Sequence, residues 1–279
     1  MKEIHVSDIT NAVAGLCVKA CVVVAPDVRA CMEKAVGMEE GVARQVLQDM
    51  LKNQDVAIEC NMPICQDTGI AVVFLEIGQD VHIIGGDLAS AVQDGVRKGY
   101  TEGYLRKSVV ADPISRVNTD DNTPAVIHYE IVPGNSLKIT VSPKGFGSEN
   151  MSRVKMVVPG DGIEGVVKFV LETVEQAGSN PCPPIVVGVG VGGNFELCAK
   201  MAKQALLREI GSSHPDPYWA DLEKQLLEKI NAMGIGPAGL GGLTTAMAVH
   251  INTYGTHIAG LPVAVNIACH ANRHEEIVL

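Results

Sequence analysis

The sequence predicts a mixed α/β protein, an N-terminal helical segment followed by a two-lobed domain of small sheets surrounded by helices. Three observations predict it. The first fifty residues carry apolar side chains at helical spacing. The runs IAVVFLEIG and IVVGVG are short, apolar and bounded by turn residues, as buried strands are. The remaining periodic stretches alternate with loops rich in glycine and proline. A chain of 279 residues is long enough for one large core or two modest ones, and the boundary between lobes is expected near residues 110–150.

In chain order, Ile9, Val13, Leu16, Ala20 and Val24 recur at helical spacing behind candidate caps at Ser7 and Asp8. A second helix follows Pro26, and a third runs from about Met38 to Lys52. IAVVFLEIG then reads as a buried strand, and the stretch from Asp87 to about Leu105 as a helix. AVIHYEIV and LKITVS flank the turn residues PGNS, which predicts a hairpin. A helix over residues 161–176 leads through GSNPCPP into the strand IVVGVG. A helix from about Asn194 to Glu209 and a charged helix after HPDPYW follow. The chain closes with the glycine-rich GIGPAGLGG and two β-rich segments, AMAVHINTYG and LPVAVNIAC. No internal repeat or low-complexity tract interrupts it.

The formal charge of −10, with no basic run, argues against nucleic acid or anionic lipid as a partner. The start MKEIHVSDIT has no basic region followed by an apolar stretch, and no apolar run approaches the roughly 18 to 20 residues of a membrane helix. A cytoplasmic protein with small-molecule or protein partners is expected. Without a secretory signal the eight cysteines read as thiols, metal ligands or catalysts before disulfides.

Cys17 and Cys21 share one helical stripe and Cys31 lies on the next helix, where free cysteine packs as a small hydrophobe. Cys60 and Cys198 take the same reading. Cys65, Cys182 and Cys269 differ, because each sits in a loop stiffened by proline or crowded with polar residues: PICQD, NPCPP and ACHANRH. Their wide separation excludes a zinc ribbon or finger and the close-spaced ferredoxin pattern. On spacing alone they are unrelated cysteines or the members of one site. Three thiolates could hold a 4Fe-4S cubane with one iron open, a Lewis acid able to bind the hydroxyl and a carboxylate of a small acid and so promote dehydration.

NMPICQDTG at residues 61–69, KGFGSEN at 144–150, SNPCPP, and the closing TYGTHIAGLPVAVNIACHANRH together resemble the α subunit of the two-subunit class I fumarases and the related L-tartrate dehydratases. The resemblance covers essentially the whole chain, with four short motifs in the family's order. It implies one iron–sulfur hydro-lyase α-subunit domain over residues 1–279, hydrating fumarate to L-malate or dehydrating L-tartrate. It also implies a 4Fe-4S cluster on Cys65, Cys182 and Cys269. Gln66, Asp67, Arg106, the backbone at Gly147 and His257 match positions that face the dicarboxylate substrate, and Asp67, two residues past Cys65, could by its own chemistry shuttle a proton. A separate β subunit completes the site in that family. The family's glycine run is commonly three glycines, and this chain has Phe146 in the middle.

Each residue also has a plainer reading. Asp67 on its own reads as a loop aspartate bonding its own backbone. Arg106, at a helix end, is equally an exposed cation near a C-terminus or a carboxylate clamp. His257 lies between β-rich segments, where a lone histidine is commonly a structural hydrogen-bonder. Arg273, just past Cys269, is left unassigned.

Two other functions compete. Gly188, Gly190 and Gly193 spell G-x-G-x-x-G after a strand, the dinucleotide fingerprint. The acidic strand end that a nicotinamide site needs about 20 positions on is missing, so these glycines read as close-packing positions. A thiol-rich scaffold with merely buried cysteines is the non-enzyme reading, which the colour of anaerobically reconstituted protein distinguishes from the lyase.

Overall fold

The computed structural model describes residues 2–279 and divides them into two compact units. The first comprises residues up to Val24, Asn53–Phe146 and Arg273–Leu279; the second comprises Ala25–Lys52 and Gly147–Asn272.

The chain opens with β1 (Lys2–His5), which runs directly into α1 (Val6–Val22). The cap of α1 is His5, whose Nδ1 accepts from the Ser7 N–H at 3.2 Å, rather than Ser7 or Asp8. Ile9, Val13, Leu16, Cys17 and Cys21 form its buried face. The backbone becomes extended at Val23, and α2 (Pro26–Met38) begins on its proline, whose fixed φ suits a first turn. By composition Val6–Met38 is long and apolar enough to cross a membrane, contrary to the sequence expectation. It is nevertheless two helices with a break between them, and half of its apolar window is buried. Next, α3 (Gly41–Cys60) continues a further two turns past the expected end at Lys52.

In the first unit, β2 (Ile70–Gly78) is the predicted buried strand. A short β3 (Val81–Ile84) pairs in parallel with β1, and both escaped the sequence reading because four residues carry too little periodicity. Asp87 caps α4 (Leu88–Glu102), its carboxylate accepting from the Ser90 N–H at 2.7 Å. Gly95 and Gly99 of α4 face α1, where a Cβ at Gly95 would stand 2.7 Å from that of Val13.

β4 (Val126–Val132) and β5 (Leu137–Lys144) are both formed, but they are not a hairpin. β2 lies between them, parallel to β4 and antiparallel to β5, and with β10 (Glu275–Val278) they form a sheet of order β10-β5-β2-β4. The reason is burial: β2 is apolar on both faces and takes a central position. The PGNS loop then arches over its end, with Gly78 N donating to Ser136 O and Asp80 N to Gly134 O, both at 2.9 Å.

The one-turn α5 (Phe146–Glu149) leads to β6 (Arg153–Val157) and α6 (Gly162–Ala177). β7 (Ile185–Gly193), α7 (Phe195–Ala205), α8 (Pro217–Asn231), β8 (Ala246–Thr256) and β9 (Leu261–Ala268) complete the second unit. Its sheet has the order β6-β9-β7-β8, with β7 parallel to β8 and antiparallel to β9. α7 stops short of the expected Glu209. Phe169, Val187, Val189, Leu226, Ile251 and Val265 are among the buried side chains of this unit's core. Glu39, almost wholly buried, accepts from the Leu243 and Thr244 N–H groups at 2.8 and 2.6 Å and so anchors the end of the glycine-rich segment.

Candidate active site

The first unit carries Cys65, Gln66, Asp67 and Arg106. Residues 61–69 cannot continue α3, because Pro63 removes a donor and Asn61 sits at a positive φ. The loop is pinned by buried side chains. The Tyr100 hydroxyl donates to Thr68 O at 2.7 Å, and Asn122 Nδ2 donates to Gly69 O at 3.1 Å. Arg273 Nη2 donates to Asp67 O at 2.8 Å. Tyr100 and Asn122 are fully buried and Arg273 is 6% exposed. Burial holds the Tyr100 phenol well above its ordinary value, so it is a fixed donor.

Asp67 Oδ1 accepts from Gly69 N at 3.0 Å and Oδ2 from Phe146 N at 2.9 Å. The turn-type bond expected of a loop aspartate is therefore present, together with a second bond across the unit. Each oxygen keeps a further lone pair. Cys65 is half-buried, and its Sγ accepts from Asp67 N at 3.4 Å and lies 3.5 Å from Gln66 Oε1. Arg106 is tied to the same loop through its backbone: Thr68 Oγ1 donates to Arg106 O at 3.1 Å, while its side chain is exposed. Asn122 joins the two segments, since its Oδ1 accepts from Ser108 N at 2.7 Å while its Nδ2 holds Gly69 O.

The second unit carries Gly147, Cys182, His257 and Cys269. Cys182 is exposed at a φ of 54°, with its N–H donating to Ser179 O at 3.1 Å. The His270 N–H donates to Cys182 O at 3.3 Å, which brings the Cys182 loop to the Cys269 loop. Cys269 is half-buried and its carbonyl accepts from Asn272 N at 3.0 Å. His257, exposed in the turn between β8 and β9, accepts the Ala259 N–H on Nδ1 at 3.1 Å. That bond occupies Nδ1 and leaves Nε2 as the ring nitrogen outside the turn bond. Beside Gly147 a Cβ would meet only Asn180 O, at 3.5 Å. Phe146, in the middle of KGFGSEN, has a half-exposed ring and keeps its N–H on Asp67.

The other cysteines separate cleanly. Cys17, Cys21 and Cys198 are buried. Burial pushes the Cys17 and Cys198 thiols up, and it pushes Cys21 up to about 11. Cys60 is exposed at the end of α3, so it does not pack as expected. Within either unit, among the described residues, no three His, Cys, Asp or Glu side chains stand close enough to share a metal ion. The donor set nonetheless suits iron. The three loop cysteines are accessible soft ligands, and the cysteines that are sealed in packing are those held as neutral thiols.

The G-x-G-x-x-G segment is not a phosphate loop. Gly188 and Gly190 lie inside β7, where added Cβ atoms would stand 2.1 Å from Ala202 O and 2.0 Å from Cys198 O of α7. β8 does return parallel to β7, but AMAVHINTYGT carries no acidic residue to read a ribose.

Three groups at the site were absent from the sequence reading: Tyr100, Asn122 and the Phe146 N–H. Each bonds to a segment distant in sequence, which leaves no local signal. Arg273, unassigned from sequence, anchors the Asp67 loop.

The chain is 43% identical over 272 residues to a putative L(+)-tartrate dehydratase subunit alpha of Methanocaldococcus jannaschii, covering 95% of each chain. It is 38% identical over 232 residues to an L(+)-tartrate dehydratase subunit alpha of Escherichia coli, covering 82% of this chain and 76% of the relative. The corresponding protein of Shigella boydii is 37% identical over 238 residues, covering 84% of this chain and 78% of its own length. Residues 10–278 match the family described as fumarate hydratase (fumerase), and the chain belongs to that family.

Proposed function

We propose that the chain is the cluster-binding α subunit of a hydro-lyase that reversibly hydrates fumarate to L-malate and works with a separate β subunit. The family match over residues 10–278 carries this reading. Its relatives' names, which specify a subunit alpha, support the partner.

Cys65, Cys182 and Cys269 are the residues that hold a 4Fe-4S cluster in this reading. Bound by three thiolates, such a cluster supplies an open iron, a Lewis acid for the substrate hydroxyl. The protein's own groups do the rest. The Asp67 carboxylate, held by two backbone donors, keeps a lone pair with which to take and return the hydroxyl proton. Arg106 pairs with one substrate carboxylate through its exposed guanidinium. His257 donates from Nε2, and Gln66 and the Gly147 backbone add neutral donors. No residue of these motifs is placed to take a proton from carbon, so that base comes from the β subunit.

L(+)-tartrate is the second reading, favoured by the relatives' names. The test is anaerobic reconstitution of the chain with its co-encoded partner, with fumarate, L-malate and L(+)-tartrate each assayed. Faster turnover of L-malate and fumarate supports the first reading, and turnover of tartrate alone supports the second. No turnover of any of them by iron-loaded complex sinks the hydro-lyase assignment.

A further inference from the structure

β4 is an edge strand. Among the described residues it pairs with β2 alone, in unbroken register from Val126 with Val72 to Val132 with Gly78. Edge strands are normally blunted by a bulge, a proline, a lysine or a covering element. The segment VIHYEIV has neither proline nor lysine, and its register shows no bulge. Its large apolar side chains are uncovered: Val126 is 42% exposed, Tyr129 47% and Ile131 72%. The Val132 carbonyl accepts from Gln79 N, at the β2 side of the strand, at 2.9 Å. By alternation along the strand, the N–H and C=O groups of Ile127, Tyr129 and Ile131 then face away from β2.

The occupant that fits this edge is encoded in the strand itself. VIHYEIV reads nearly the same chemically in both directions. Set antiparallel to itself about Tyr129, it places Val126 opposite Val132, Ile127 opposite Ile131, His128 opposite Glu130, and Tyr129 opposite its own copy. We propose that β4 pairs with β4 of a second copy of this chain across a two-fold axis through Tyr129, joining the two four-stranded sheets into one.

Such self-complementarity is what an isologous contact requires. The outward backbone groups fall in register with it. The Ile127–Ile131 and Tyr129–Tyr129 pairs are then the hydrogen-bonded ones, and His128–Glu130 falls in the non-hydrogen-bonded position. There Cα atoms approach to about 4.5 Å and side chains meet most closely. Each dimer gains two such opposite pairs, one at each side of the axis. The His128 ring is already held on that face by stacking on Phe74, with centroids 4.9 Å apart and planes 20° from parallel. On the other face, Tyr129 and Ile131 extend the row begun by Ile127, which packs on the core of this unit. Copies of formal charge −10 repel one another, so the contact strengthens as salt screens that repulsion. The inference rests on the fold and not on the reaction.

Sedimentation of the full chain over a range of concentrations and salt, alone and with its partner subunit, tests it. The expected result is a reversible dimer, abolished by Ile131→Lys. His128→Glu weakens it about tenfold by setting carboxylates opposite one another, and the exchange His128→Glu with Glu130→His restores it. Tyr129→Cys gives a disulfide-linked dimer on oxidation, since opposite Cα atoms lie about 5.5 Å apart in that register. This readout holds even if a charge variant folds poorly, and the parent chain is its control. A monomer at every concentration overturns the proposal. So does a dimer indifferent to these substitutions, or hydrogen-exchange protection of residues 126–132 that comes only with the partner subunit.

Discussion

Asp67 owes its position to hydrogen bonds from several separate segments of its unit. Two backbone N–H groups hold its carboxylate, while Arg273, Tyr100 and Asn122 hold the backbone on which it stands. Asn122 matters most, because it also fixes Ser108 beside Arg106. Asn122→Ala removes the buried amide that ties Gly69 O to Ser108 N, which costs about 1 to 2 kcal/mol. We expect a lower denaturation midpoint, with kcat falling more than KM rises as Asp67 loses its aim. Thermal melting and steady-state kinetics of the assembled enzyme check this.

A second residue-scale expectation concerns His250, 1% exposed in β8 with Nδ1 3.2 Å from Ala205 O. Burial, aided by the nearby Arg208, pushes it down to about 4. An unfolded imidazole titrates near ~6.5. Between these values the unfolded chain binds a proton that the folded chain refuses. Stability is therefore complete above the unfolded value and declines by roughly 3 kcal/mol as pH falls through the window. Urea midpoints across that range show the decline, and His250→Asn flattens it.

The loop cysteines supply the third. Cys65→Ser, Cys182→Ser and Cys269→Ser are each expected to lose most bound iron and sulfide on reconstitution, whereas Cys17→Ser, deep in the α1 packing, stays near wild type. Full occupancy in Cys182→Ser would remove the centre of the proposed site.

Among the elements, the β7–α7 contact shows how glycine sets a distance. With no Cβ at Gly188 or Gly190, the helix carbonyls of Ala202 and Cys198 come down onto the strand. A methyl at Gly190 would sit 2.0 Å from Cys198 O, a backbone atom that cannot rotate away. Gly190→Ala is expected to cost about 3 kcal/mol or more, or to prevent folding. Gly147→Ala, where a Cβ has room, is expected to leave melting unchanged. Comparing the two melting curves separates close packing from a loop requirement. The missing hairpin belongs to this scale as well. AVIHYEIV, PGNS and LKITVS form two strands and a loop as local chemistry requires, and only the competition for β2 decides that they do not meet.

For the molecule as a whole, the chain crosses repeatedly between two units, each with its own buried cluster. The proposed chemistry needs more donors for two carboxylates than Arg106 and His257 provide, and a base at carbon besides. The isolated, iron-loaded chain is therefore expected to show no dehydration, and the co-encoded partner to restore it. Turnover by the isolated chain at the rate of the mixture would end the split-site proposal. Aeration should abolish activity and ferrous iron with a thiol reductant should recover it, because an iron without a fourth thiolate is open to oxidation.

By itself the sequence determined the mixed α/β class, the buried strands β2 and β7, most of the helices, and the loops carrying Cys65, Cys182 and Cys269. These features depend on periodicity, proline and glycine within a few residues, and such local chemistry survives in a string of letters. The family was equally legible, since its motifs are contiguous. Only the tertiary structure decided that β2 would separate β4 from β5, that Tyr100, Asn122 and Phe146 would hold the Asp67 loop, and that Arg273 would anchor it. It alone showed Gly188 and Gly190 serving a helix instead of a phosphate. Each of these is a contact between segments distant in sequence, chosen by burial and by the need to pair every buried polar group, and neither leaves a periodic trace in the chain.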